Sequence, residues 1–169
     1  MRTRKIIIPL DGSPLAESAI ETAVDLVAGT PVAFTLLRAA EAHTLPSVDP
    51  TEAQVEVVRE AEEYLASARE KLVKRGITDV EASVWYGPAA AAIVEAARLR
   101  KADLIVMSSH GRSGMGRLFL GSVAESVLRG TTVPVCVARV PGAPLKAPDG
   151  KAELKGGRAD AGVSRGAER

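Results

Sequence analysis

The chain has 169 residues, 46% of them hydrophobic and 25% charged, with a formal net charge of +1. That length suffices for one domain with a substantial core, and no run approaches the ~20 apolar residues that cross a bilayer. Residues 1–140 hold 16 Lys/Arg against 17 Asp/Glu, and aromatics are 3% of the chain, which argues against a nucleic-acid partner bound by a basic face or by a base-stacking platform.

Met1-Arg2-Thr3-Arg4-Lys5 is basic, but only Ile6-Ile7-Ile8 follows before Pro9, too little for a signal peptide. The single cysteine, Cys136, lies in an apolar alternating run. The expectation is a cytoplasmic protein with a buried structural thiol and no membrane segment.

In chain order, residues 4–12 read as a short apolar strand running into a turn. Ser13-Pro14 reads as an N-cap with proline at the first helical position. Helix 1 follows, with Ala16, Ala19, Ile20, Ala23, Val24 and Val27 on one face and Gly29 closing it. Pro31 to Leu37 is a second apolar strand, and 40–50 a loop. Thr51 to Arg75 is a long amphipathic helix carrying Val55, Val58, Leu65 and Leu72, stopped by Gly76. Val80, Ala82, Val84 and Tyr86 alternate with polar positions and Trp85, as in a half-exposed strand. After Gly87-Pro88 come an alanine-rich helix over 89–100, an apolar strand over 102–108 and a glycine-rich loop over 109–120. A helix from Val123 to about Arg129 and a last strand with Val133, Val135 and Val137 complete the domain. Residues 141–169 hold nine Gly or Pro and no aromatic, the composition of a disordered tail beyond a domain ending at residue 140.

Strands alternating with helices predict an α/β fold with a parallel sheet, right-handed crossovers and helices on both faces. Strands 1, 2 and 4 are apolar throughout and suit the centre. Strand 3 alternates and strand 5 contains Pro134, so both suit edges. The order 3-2-1-4-5 satisfies this, a Rossmann-like arrangement. Its topological switch point lies between strands 1 and 4, where ligands bind beyond the carboxyl ends of the strands.

Two loops meet there: Pro9-Leu10-Asp11-Gly12-Ser13, and Ser108 to Ser122. In the second, glycines allow backbone N–H groups to approach an anion, and Gly121-Ser122 sits where a helix begins, a favourable place for phosphate. Gly111 and Gly116 have Walker A spacing, but Arg117-Leu118 follows where Lys-Ser/Thr is needed. Gly114-Met115-Gly116 opens a dinucleotide fingerprint that fails at Phe119.

The run Ser108-Ser109-His110-Gly111-Arg112-Ser113-Gly114, then Leu120-Gly121-Ser122-Val123-Ala124-Glu125-Ser126-Val127, resembles the signature of the universal stress protein family. So do Ile8-Pro9-Leu10-Asp11-Gly12-Ser13 and the Val133-Pro134-Val135 ending. Nucleotide-binding members carry G-x2-G-x9-G-S/T, which aligns with Ser108, Gly111, Gly121 and Ser122; the first position is serine here. The resemblance implies an ATP site, with Mg or Mn carried by the phosphates. Pro9 and Leu10 would lead into it, and Asp11 would meet the adenosine. Ala39, just after strand 2, would meet adenine through its backbone, and Met107 and Ser108 the ribose. Gly111, Arg112, Gly121, Ser122 and Val123 would hold the phosphates.

Plainer readings stand beside these. Asp11 suits a turn, Ser122 to Glu125 fits a capping box, and His110 and Arg112 suit loop-structural or solvated roles. The resemblance implies an ATP-dependent regulatory module of stress response, acting on an unnamed protein partner. A slow ATPase or nucleotidyl transferase needs a water-positioning base and a metal-holding carboxylate that the loops do not supply together. A nucleotide-free interaction domain is the third reading. The apolar edge of strand 5, with Val133, Val135 and Val137, suits homodimerisation.

Overall fold

A computed structural model describes residues 4–41, 49–109 and 120–139. The order is β1 (Arg4–Pro9), α1 (Pro14–Leu26), β2 (Val32–Ala40), α2 (Pro50–Lys74), β3 (Val80–Tyr86), α3 (Ala89–Leu99), β4 (Leu104–Ser108), α4 (Ser122–Gly130) and β5 (Val135–Ala138). The strands form one sheet in the order β3-β2-β1-β4-β5, and every pairing is parallel. This is the α/β arrangement expected from the sequence, with helices on both faces.

The period-2 alternation of the strands sorts their side chains between two layers. Ile6, Ile8, Phe34, Leu36 and Val106 face α1 and α2, where they meet Ala19, Ile20, Leu65 and Leu72. Ile7, Leu37, Ile105 and Met107 face α3 and α4, against Ile93, Ala96, Ala97, Ala124 and Val127. Central strands covered on both faces have no polar side to show, which is why β1 reads as an unbroken apolar run. Each buried isoleucine there contributes about 1.5–3 kcal/mol.

Several boundaries and faces differ from the sequence reading. β2 runs on to Ala40, because β3 pairs with it as far as Ala40↔Tyr86; Ala39 therefore lies within β2, not after it. The inward face of α2 is Ala61, Leu65, Ala68 and Leu72, whereas Val55 is 63% exposed. In the first turns of that helix Gln54 and Val57 are half-buried, and Gln54 Nε2 donates to Ala40 O at 3.3 Å. In β3, Trp85 packs against the α3/α4 layer and Tyr86 is 70% exposed, the reverse of the expected alternation at that end. Pro134 precedes β5, and its carbonyl accepts from Ile105 N–H at 2.9 Å. Val133 and Val135 pack against the α3/α4 layer, so part of the stripe read as a free edge belongs to the core. Cys136 is half-buried against the opposite layer. The proposed tail at 141–169 lies outside the described residues. No helix among the described residues is long and apolar enough to cross a membrane.

The seam between β1 and β4 opens early for a local reason. Leu10 N–H donates to Leu37 O at 2.8 Å, so Leu10 faces β2 and Pro9, one residue earlier, faces β4. A proline has no N–H to donate. The β1–β2 ladder reaches Pro9↔Leu37, while the β1–β4 register ends at Ile7↔Ile105. The two central strands part at their carboxyl ends, at the switch point.

Candidate functional site

A crevice of about 390 Å³ occupies that opening. Pro9, Leu10, Asp11, Ala39, Met107, Ser108, Gly121, Ser122 and Val123 all line it. These are nine of the eleven residues singled out from the sequence; the other two, Gly111 and Arg112, lie outside the described residues, as does His110.

The wall from β1 turns at Gly12, whose φ of 87° is open to glycine without strain. Asp11 Oδ1 accepts from Ser13 N–H at 2.9 Å, and Ser13 Oγ accepts from Ala16 N–H at 3.1 Å, capping α1. Asp11 is thus a turn residue and also a crevice residue. The two readings describe one geometry, in which the turn fixes the carboxylate at the mouth.

On the β2 side, alternation places the N–H and C=O of Ala39 toward β1, as for Leu37. Leu37 O takes the last hydrogen bond from that direction, from Leu10 N–H. Ala39 comes two residues later, beyond the end of β1. Its backbone presents a donor and an acceptor to the crevice instead of to a strand.

The opposite wall is the start of α4. Gly121, with φ −60° and ψ 149°, is the N-cap, and no side chain caps the helix. The capping box expected at Ser122 is not formed: Ser122 is already helical, and the Glu125 carboxylate pairs with Arg129 at 2.9 Å, one turn on. Gly121 N–H donates to Ser109 O at 2.8 Å, which brings Ser109 and the helix start together. Among the described residues no side chain accepts from the following N–H groups, Ser122 to Ala124, and the helix dipole adds positive potential there. Ala89, the first residue of α3, also lines the crevice, and α3 has no side-chain cap either. This donor set suits an anion.

Sequence reasoning missed Arg38, Glu41, Val57 and Ile93, which also line the crevice. Arg38 is buried, donates from Nη2 to Glu60 Oε1 at 2.9 Å, and stacks over Tyr64, 5.2 Å from its ring centroid. Tyr64 donates to Glu17 Oε1 at 3.3 Å. Burial, then the negative charges of Glu17 and Asp11, push the Tyr64 phenol well above its ordinary pKa, so it stays a neutral donor. The available signal for Arg38 was a charged residue in an otherwise apolar strand. Among the described residues no group of three or more His, Cys, Asp or Glu is placed to hold a metal ion.

Residues 2–139 match the sequence profile of the Universal stress protein family. The chain is 30% identical over 141 residues to a universal stress protein of Methanocaldococcus jannaschii, covering 82% of this chain and 83% of that one. It is 33% identical over 137 residues to one of Mycobacterium tuberculosis, covering 79% of this chain but only 45% of that longer protein. Among solved structures, a universal stress protein in complex with cAMP superposes with a TM-score of 0.60 at 26% identity, over 82% of this chain and 98% of that one. The chain belongs to the universal stress protein family.

Proposed function

We propose that this chain is a regulatory module whose crevice binds an adenine nucleotide, ATP, and that occupancy switches the surface shown to a protein partner in a stress response. The observation that carries the reading is the convergence of nine sequence-selected residues on one crevice at the switch point. A related protein solved with cAMP adds support for an adenine nucleotide.

In this reading the adenine edge meets the Ala39 backbone, the ribose lies near Asp11, Met107 and Ser108, and the phosphates lie against the N–H groups that begin α4. Gly111 and Arg112 complete the phosphate contacts by the family motif. A divalent Mg²⁺ or Mn²⁺ would be held by the phosphates and would neutralise part of their charge. What this chain supplies is binding and orientation. We further propose that two copies pair through β5, an edge strand with Val137 only half-buried; concentration-dependent light scattering tests this, and a monomer at micromolar concentration refutes it.

The test of the ligand is calorimetric titration of the purified protein with ATP, GTP and adenosine, with phosphate release followed in parallel. ATP is expected to bind more tightly than GTP. Asp11→Ala is expected to weaken adenosine and ATP by the same factor, because its contact is with the nucleoside. Equal affinity for ATP and GTP would remove the adenine assignment. Steady turnover would favour the slow ATPase, and no binding of any nucleotide the interaction domain.

A further inference from the structure

Arg38 has no part in the nucleotide contacts described so far, yet its setting is that of a binding group. Its side chain is 8% exposed, and it lines the crevice. A guanidinium this buried is retained only where it is held, and two contacts hold it. Nη2 donates to Glu60 Oε1 at 2.9 Å, and the plane stacks over Tyr64. Glu60 is itself 60% exposed, so this anchor engages one nitrogen from the solvent side.

Among the described residues, Nε and Nη1 of Arg38 have no hydrogen-bond partner. Neither is a fully buried orphan, since Arg100 Nε alone is in that state among the described residues. Both therefore keep open space beside them, and the space that Arg38 lines is the crevice.

Position decides what those donors can reach. β2 side chains at even positions, Phe34 and Leu36, enter the α1/α2 layer, and Arg38 continues that series next to Tyr64. Tyr64 in turn senses the Asp11 charge. The start of α4, where the phosphates are assigned, belongs to the other layer. Arg38 thus serves the nucleoside end of the crevice. The acceptors that a purine offers there, besides the edge read by Ala39, are its ring nitrogens. A planar guanidinium anchored on one side is a rigid donor for such an atom.

We propose that Arg38 is a specificity-determining contact that donates its free guanidinium N–H groups to a ring nitrogen of the bound purine. This inference rests on the nucleotide reading of the crevice.

The wild-type protein is titrated with adenosine, 3-deazaadenosine and 7-deazaadenosine, each analogue exchanging one ring nitrogen for C–H. One of them is expected to bind about tenfold more weakly than adenosine, as for a lost hydrogen bond to a charged donor. In Arg38→Lys, which keeps the charge and loses the fork, that penalty should fall below about threefold. Glu60→Gln, which weakens the anchor by removing its charge, should lower it as well. Both analogues binding like adenosine, or a penalty unchanged in both variants, overturns the Arg38 contact and leaves the nucleotide site standing. Wild-type protein that binds neither adenosine nor ATP overturns both.

Discussion

The two helical layers begin in different ways at the crevice. In the first, α1 and α2 satisfy their own N-termini: Ser13 Oγ accepts from Ala16 N–H, and Asp49 Oδ1 accepts from Thr51 N–H at 2.7 Å and from Glu52 N–H at 3.4 Å. In the second, α3 and α4 start after Pro88 and Gly121, with no side-chain acceptor at either among the described residues. The unpaired N–H groups of a helix start must find a side chain, water or a ligand. The first layer spends its N-termini on its own stability and adds ion pairs between its helices, Glu17 with Lys71 and Glu21 with Arg75. The second leaves donors facing the space between β1 and β4. On the side proposed for the nucleotide, no described side chain caps either helix start.

Supplying such a side chain is the largest test. Gly121 has φ −60° and ψ 149°, which aspartate adopts without strain. Gly121→Asp would give α4 the kind of cap that α2 already has, occupying the donors and adding a negative charge. Two unit charges ~4 Å apart repel by ~4 kcal/mol at an effective dielectric near 20, so ATP affinity is expected to fall roughly a thousandfold. The melting temperature should hold or rise slightly, because Asp is at least as good an N-cap as Gly. Titration with ATP and a thermal melt read the two effects separately. A folded variant that still binds ATP within a few-fold of wild type would move the phosphate away from α4 and end the functional contrast between the layers.

This contrast also marks what the sequence could and could not convey. The strand order was legible because burial on both faces leaves a periodicity signature: Ile6-Ile7-Ile8 and Leu104 to Met107 have no polar alternation, so both had to be central. Asp11, Gly121 and Ser122 could be expected at one crevice because their spacing matches a family motif, and all three line it. Helix starts were less so. Ser122 to Glu125 satisfies the capping-box pattern, but Ser109 O holds Gly121 N–H and sets the helix to begin one residue sooner, a long-range contact with no local trace. Arg38 was missed for a similar reason. Its partners Glu60 and Tyr64 lie more than twenty residues on, and only the fold of α2 over β2 brings them to it. The outward turn of Tyr86 follows from the sheet ending there, which alternation within β3 cannot reveal.

The caps of the first layer sharpen the contrast from the other side. Ser13→Ala is expected to cost about 1 kcal/mol of stability, a fall of a few degrees in melting temperature. ATP affinity should change by less than about threefold, because the backbone N–H that orients Asp11 is retained. A tenfold loss of affinity would show that α1 serves the ligand as well. Asp49 offers a pH test of the same kind. Hydrogen bonds from the N–H groups of Thr51 and then Glu52 hold its carboxyl below the ordinary value of 3.8. A depressed folded-state pKa means that the cap's contribution is fully present above 3.8 and is lost as the pH falls through the folded value. Asp49→Asn should therefore show a shallower loss of stability in acid than the wild type, and identical acid limbs would refute the cap.

The smallest effect lies at the far end of α3, away from the crevice, and tests whether the second layer is also less finished where no ligand needs it. Among the described residues, Lys101 is the one non-glycine with positive φ, at 52°. It closes a Schellman motif: Ala102 N–H donates to Ala97 O at 2.9 Å and Lys101 N–H to Arg98 O at 3.2 Å. The corresponding turns after α1 and α2 use Gly29 and Gly76, with φ of 79° and 83°. A left-handed L-residue costs roughly 1–2 kcal/mol, while glycine adds up to about 1 kcal/mol of unfolded-state entropy. Lys101→Gly should therefore stabilise the domain by about 0.5 kcal/mol and raise the melting temperature by about 2 °C. ATP affinity should not move, since Lys101 borders a separate cavity with Lys5 and Asp79 at the amino ends of the strands. A lower melting temperature would mean that Lys101 contributes more through its side chain than its backbone loses. A changed ATP affinity would mean that α3 transmits strain along its length to Ala89, and the two ends of the second layer could no longer be treated as independent.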